Sequence, residues 1–186
     1  MGNDVKIVTF TGASGYGKSS IAKELLKLED YRLVVSVTTR SSRESDLRGE
    51  YEYISQDNFS LRDERDAFLW KAAYAGNRYG TMRKSIDDAL ASSAISLMIL
   101  VPEVVPLLRD YTGDDKVLSF FVQSPPVGIL RRRMEARGDS GENILKRLSV
   151  DVQWESAARS SIIPYVYVSN DGSLDDTVDV VRRYLR

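Results

Sequence analysis

Three features of the sequence predict an α/β fold whose parallel sheet is covered by helices on both faces. Val5 to Phe10 is a short, apolar, β-branched run, as a buried strand requires. Gly12 to Ser19 then reads G-x-x-x-x-G-K-S and leads into Ile21-Ala22-Lys23-Glu24-Leu25-Leu26, which has helical spacing. Beyond it, apolar runs of strand length alternate with helical runs to the end of the chain.

Strand, glycine-rich loop and helix, in that order, are the context in which this motif binds phosphate. The glycines let backbone N–H groups turn inward around a polyphosphate without Cβ clashes, and the helix N-terminus adds the positive end of its dipole. Gly12, Ala13, Ser14, Gly15, Tyr16, Gly17, Lys18, Ser19 and Ser20 are therefore the expected contacts of a nucleoside triphosphate. Lys18 is expected to reach the β- and γ-phosphates, and the Ser19 hydroxyl to ligate Mg²⁺.

The remaining elements follow in order. Arg32 to Thr38 reads as the second strand, and the polar residues 39–50 as an exposed loop. Tyr51 to Ser55 alternates, as a strand with one wet face does. A short helix over Asn58 to Asp66, capped by Asp57, precedes a strand over Phe68 to Tyr74 that Ala75-Gly76-Asn77 stops. Met82 to Ser92 has helical composition, and Ala94 to Val101 is apolar throughout, as a central parallel strand is. Pro102 opens a helix, Val117 to Val122 is a buried strand, and Val127 to Ala136 is a helix with a basic face. After a break at 137–141, a long helix is predicted over Glu142 to Ala158, then a strand over Pro164 to Val168 and an amphipathic helix over Ser173 to Leu185.

Composition narrows the function. The 186 residues suit one domain with small inserted units, and 42% hydrophobic with 28% charged residues is ordinary for a globular chain. A net charge of −1 offers no basic field for nucleic acid. Cysteine and histidine are absent, which excludes disulfides, thiol chemistry, Cys/His zinc sites and histidine acid–base catalysis. No run reaches membrane-spanning length and the N-terminus lacks a signal pattern, so a cytoplasmic setting without membrane partners is expected.

A phosphate loop does not name a reaction. The discriminating stretch is Ser36-Val37-Thr38-Thr39-Arg40-Ser41-Ser42-Arg43. Two arginines three apart in a loop after a strand can clamp a phosphate with bidentate bonds; a solvated charged loop is the competing reading. Taken with Gly49-x-x-x-Tyr53, Ala75-Gly76-Asn77-Arg78-Tyr79-Gly80-Thr81, Leu130 to Gly138, Arg147-Leu148 and Val168-Ser169-Asn170-Asp171, this stretch resembles the guanylate kinase family. The phosphate loop Gly-x-Ser-Gly-x-Gly-Lys-Ser is also the family's version, and the matches run in order over nearly the whole chain.

That resemblance implies a P-loop three-layer α/β/α core over 1–34 and 82–186, with a helical lid at about 134–150. A small β-containing subdomain for a nucleoside monophosphate is implied over 35–81. It implies ATP and Mg²⁺ as phosphoryl donor and ion, and a small-molecule monophosphate as acceptor, on a monomer or homodimer. Arg40, Arg43, Tyr51 and Tyr79 match the family's acceptor-phosphate positions, and Ser36 and Thr81 its small hydroxyl residues around the acceptor base. Lys18, Arg133, Arg137 and Arg147 match the catalytic cations, and Asn170 lies in a turn near the adenine. Arg131 and Arg132 read as a solvated, salt-bridged face. Phosphoryl transfer needs no protein nucleophile, only positioning and positive charge.

The acceptor side departs from the family. Trp70 stands where the family has a guanine-reading Glu, and Leu97-Met98-Ile99-Leu100 replaces its Leu-Asp-Ile-Asp run, leaving no acid before Glu103. The expectation is a changed acceptor base, with Trp70 stacking on it or filling core space. Alternatives are a sugar-phosphate kinase of the same fold and a non-catalytic binding module, against which the intact phosphate loop speaks.

Overall fold

The structure, a computed structural model, describes residues 4–13, 15–44, 46–74, 76–136, 141 and 154–185. Ser14, Arg137 and Arg147, most of the expected lid and the start of the helix expected from Glu142 lie outside these described residues.

The chain forms β1 (Ile7–Thr11), α1 (Lys18–Leu25), β2 (Tyr31–Leu33), β3 (Ser36–Thr38), β4 (Tyr51–Tyr53) and α2 (Gln56–Glu64). It continues through β5 (Phe68–Tyr74), β6 (Asn77–Met82), α3 (Arg83–Leu90), β7 (Ile95–Ile99), α4 (Val105–Thr112) and β8 (Val117–Val122). α5 (Val127–Ala136), α6 (154–159), β9 (Val166–Val168) and α7 (Leu174–Arg183) complete it.

Two sheets result. The larger runs β2-β7-β1-β8-β9 with every pairing parallel, and the smaller runs β4-β3-β6-β5 with mixed pairing. β1 is buried along its whole length because helices cover both faces of the larger sheet. Its successive side chains alternate between two cores. Val8 and Phe10 pack with Ile21 and Leu25 of α1, Leu130 and Met134 of α5, and Val178 and Val181 of α7. Ile7 packs on the other side with Ile86 of α3, Val105 and Leu108 of α4, and Ala158. Phe10 stacks on Phe120 with ring centroids 5.7 Å apart, so truncating it to alanine costs about 3–5 kcal/mol. Among the described residues no helix is long and apolar enough to cross a membrane.

Four local expectations are corrected. The single strand over Arg32 to Thr38 is two strands in different sheets, because the chain changes partner at Val34 and Val35. The Val34 N–H donates to the Leu97 carbonyl at 3.0 Å, whereas that of Ser36 donates to the Glu50 carbonyl at 2.9 Å. β6 replaces an expected stop: Asn77 to Met82 is held by antiparallel pairing with β5 and β3. α2 is capped by Ser55, whose hydroxyl accepts from the Asn58 N–H at 3.2 Å, and Asp57 lies in its first turn. The loop over 39–50 is not exposed throughout, since Arg40 is 9% exposed.

Candidate active site

β1 delivers the chain to the phosphate loop at its C-terminal end, and α1 begins directly after it. Gly17 supplies the turn, with φ +99° and ψ 13° in the left-handed region. A Cβ there would overlap the Asn170 side-chain nitrogen, and one at Gly12 would sit 2.5 Å from the Val122 carbonyl oxygen. Among the described residues no side chain caps α1, which leaves the first N–H groups of the helix for an anion. Lys18 folds over the loop, its Nζ donating to the carbonyls of Gly12 at 2.6 Å and Ala13 at 2.7 Å.

The turn after β9 closes this end. Asn170, 3% exposed, donates from Nδ2 to the Tyr16 carbonyl at 2.9 Å, and its own carbonyl accepts from Arg133 Nη2 at 2.8 Å. Arg133 is thereby anchored at the end of α5. Its Nη1 is buried with no hydrogen-bond partner among the described residues. A buried guanidinium donor without a partner is costly, and an anion beside it removes the cost. Arg131 instead pairs with Glu135 on the exposed face of α5 at 2.9 Å.

The opposite end is built by the loop between β3 and β4. Arg40 forms a bidentate pair with Asp46, Nη1 to Oδ2 at 2.8 Å and Nη2 to Oδ1 at 2.6 Å. Asp46 Oδ2 also accepts from the Arg43 N–H at 2.8 Å and the Tyr53 hydroxyl at 2.7 Å. The hydrogen bond from Arg40 is the main reason the Asp46 carboxyl is held down at about 2, and the same bond raises the Arg40 guanidinium. The Arg40 guanidinium lies 5.0 Å above the Tyr51 ring, which meets Tyr79 edge-on at 6.4 Å. Burial pushes the Tyr51 hydroxyl upward, so it stays a neutral donor.

Between these ends lies one cleft of about 750 Å³, within the range of small-molecule sites. The structure brings Gly15, Gly17, Lys18, Ser19, Ser20, Arg133, Asn170, Arg40 and Tyr51 to its walls, all expected from the sequence. Behind it a narrow cavity of about 10 Å³ is lined by Ser36, Glu50, Tyr51 and the run Leu97–Leu100. Ser36 and Thr81 hydroxyls lie 2.8 Å apart.

Other expected residues lie elsewhere. Gly12, Ala13 and Tyr16 are buried and shape the loop from behind. The side chain of Arg43 is exposed, and only its backbone N–H joins the Asp46 cluster. Trp70 does not line the cleft; it pairs across the strands with Thr81 and packs against the core that holds Val34 and Leu100. Asp46 and Glu50 are cleft residues that the sequence did not single out. An acid six residues from Arg40 in a loop that alternates charges was the available signal for Asp46.

Ser19, the expected Mg²⁺ ligand, lines the cleft. The Ser19 hydroxyl is exposed at the cleft, and the described residues hold no cluster of three or more acidic side chains. That donor set fits an ion held mainly by ATP oxygens and water.

Comparison with known proteins gives these features a family. The guanylate kinase family model matches residues 4–186. A guanylate kinase of Prochlorococcus marinus (strain MIT 9312) is 32% identical over 85% of this chain and 86% of its own. One from Salinibacter ruber is 31% identical over 98% of both. The crystal structure of guanylate kinase from Anaplasma phagocytophilum shares the fold, with a TM-score of 0.70 and 23% identity over 98% of this chain and 84% of that one. With the family model covering almost every residue, the chain belongs to the guanylate kinase family and is an ATP-dependent nucleoside monophosphate kinase.

Proposed function

We propose that this chain transfers the γ-phosphoryl group of ATP to a guanine nucleoside monophosphate. The observation that carries the reading is a shared cleft with the phosphate loop at one end and the Arg40–Tyr51 cluster at the other. Two anionic substrates placed at these ends present their phosphates to each other. The relatives reported above are all guanylate kinases, and none supports the changed base expected from Trp70 and Leu97–Leu100. The sugar-phosphate and binding-module alternatives gain no support either.

In this reading the 35–81 segment, which carries the smaller sheet, binds the acceptor, and the larger sheet binds ATP. The loop N–H groups and Lys18 hold the β- and γ-phosphates. Arg40 and the Tyr79 hydroxyl, with Tyr51 beside them, hold the acceptor phosphate; one of its oxygens attacks the γ-phosphorus in line as the bond to the bridging oxygen breaks and ADP leaves. Arg133, with its uncommitted Nη1, meets the charge that builds on the transferring group. Ser19 would hold Mg²⁺ together with the ATP oxygens and water, and the ion would supply positive charge against the phosphates. Arg137 and Arg147 keep the lid role that the family resemblance implies, and Asn170 that of supporting the nucleotide end.

The test is ADP release with ATP and Mg²⁺ against a panel of ribo- and deoxynucleoside monophosphates and ribose phosphates. Turnover with GMP or dGMP above all others is expected. ATP binding without turnover of any acceptor would refute the reading in favour of a binding module.

A further inference from the structure

The acids that the family resemblance places on the central strand are absent from Leu97–Leu100, yet a carboxylate stands beside that run. Glu50 lies immediately before β4 and lines both the main cleft and the small cavity behind it, where its neighbours include Ser36, Met98 and Leu100. Its position is fixed by backbone and side chain together. Its carbonyl accepts from the Ser36 N–H at 2.9 Å, and its Oε2 accepts from the Leu47 N–H at 3.0 Å. The Tyr51 hydroxyl is its other hydrogen-bonding neighbour. A carboxylate offers about four acceptor positions, so capacity for further donors remains.

The surroundings suit recognition of a base edge. Leu97, Met98 and Leu100 are buried and apolar, which strengthens a hydrogen bond made beside them. Ser36, whose hydroxyl lies 2.8 Å from that of Thr81, lines the same cavity. Burial, the largest influence on Glu50, raises its carboxyl above the ordinary value, and the Leu47 N–H and Tyr51 hydroxyl oppose it.

Building on the proposed function, we infer that Glu50 reads the acceptor base, accepting hydrogen bonds from the guanine N1–H and 2-amino groups in place of the carboxylates absent from β7 and from position 70. This places the base-reading carboxylate at the entrance of β4 rather than on β7. Trp70 is then free to serve the core, where it packs.

The experiment compares wild type and Glu50→Gln with GMP and with IMP, which lacks the 2-amino group. Glutamine retains an oxygen for the Leu47 N–H but turns an NH₂ toward the base donors. The kcat/KM for GMP is expected to fall about 10–100-fold, with the KM for ATP unchanged. The preference for GMP over IMP is expected to shrink about tenfold, since IMP has one fewer bond to lose. An unchanged GMP-to-IMP ratio overturns the assignment, because a purely structural role of Glu50 affects both substrates alike. If Glu50→Gln does not fold, the ratio is read in Glu50→Asp, which keeps the charge but shortens its reach; an unchanged ratio there overturns it equally. A wild-type enzyme inactive on every nucleoside monophosphate overturns the proposed function as well, and is distinct from an active enzyme whose ratio ignores position 50.

Discussion

Gly17→Ala and Asn170→Ala, alone and combined, measure how firmly the turn after β9 holds the phosphate loop. Alanine at φ +99° costs about 1–2 kcal/mol on its own. Its methyl group also displaces the Asn170 amide, which is nearly fully buried and bonded to the Tyr16 carbonyl at 2.9 Å. Loss of that bond by the buried amide adds about 1–3 kcal/mol, so the single Gly17→Ala change costs about 2–5 kcal/mol in all. Asn170→Ala loses the same bond and costs about 1–3 kcal/mol. In the double variant the methyl meets no amide and the Tyr16 bond is lost only once. The double cost is therefore about 1–3 kcal/mol below the sum of the singles. Urea denaturation of the four proteins gives the cycle, and calorimetric ATP titration shows whether loop affinity follows. Costs that add to within about 0.5 kcal/mol would refute the clamp.

Three further outcomes are expected. Lys18→Ala abolishes phosphoryl transfer with little change in melting temperature, and undiminished turnover would remove Lys18 from the mechanism. Arg133→Ala lowers kcat by about 10³-fold, as loss of an arginine at a transferring phosphoryl group does, and a loss under tenfold would place its Nη1 away from the reaction. Asp46 has a folded-state value of about 2 against an ordinary 3.8, so its contribution is present above pH 3.8 and lost as pH falls through about 2. That contribution is about 2 kcal/mol, and Asp46→Asn should flatten the acid limb of stability accordingly; an identical limb in both proteins would contradict the Arg40–Asp46 pairing.

The parallel core was legible because its strands are continuous apolar runs and the phosphate loop announces itself by glycine spacing. β6 was hidden because Asn77-Arg78-Tyr79-Gly80 carries turn residues and no apolar alternation; its order comes from pairing with β5 and β3. The break at Val34–Val35 was hidden for the opposite reason, since an apolar run reads alike whether one sheet or two claims it. Within the site, motif residues could be named one by one. Asp46 and Glu50 could not, because a loop carboxylate acquires meaning only from what the folded loop sets against it. Trp70 shows the converse: its sequence position suggested the acceptor, and its packing belongs to the core.

The charged groups at the proposed acceptor end of the cleft, Arg40, Asp46 and Glu50, all belong to the one loop between β3 and β4, while β7 contributes only apolar side chains to the cavity behind it. The donor end draws on the phosphate loop, α5 and the turn after β9. Chain segments of this kind accept insertion and replacement more readily than the elements they connect. In the proposed reading, a change of acceptor would require rewriting only this one connecting segment, while the phosphate loop stays as it is.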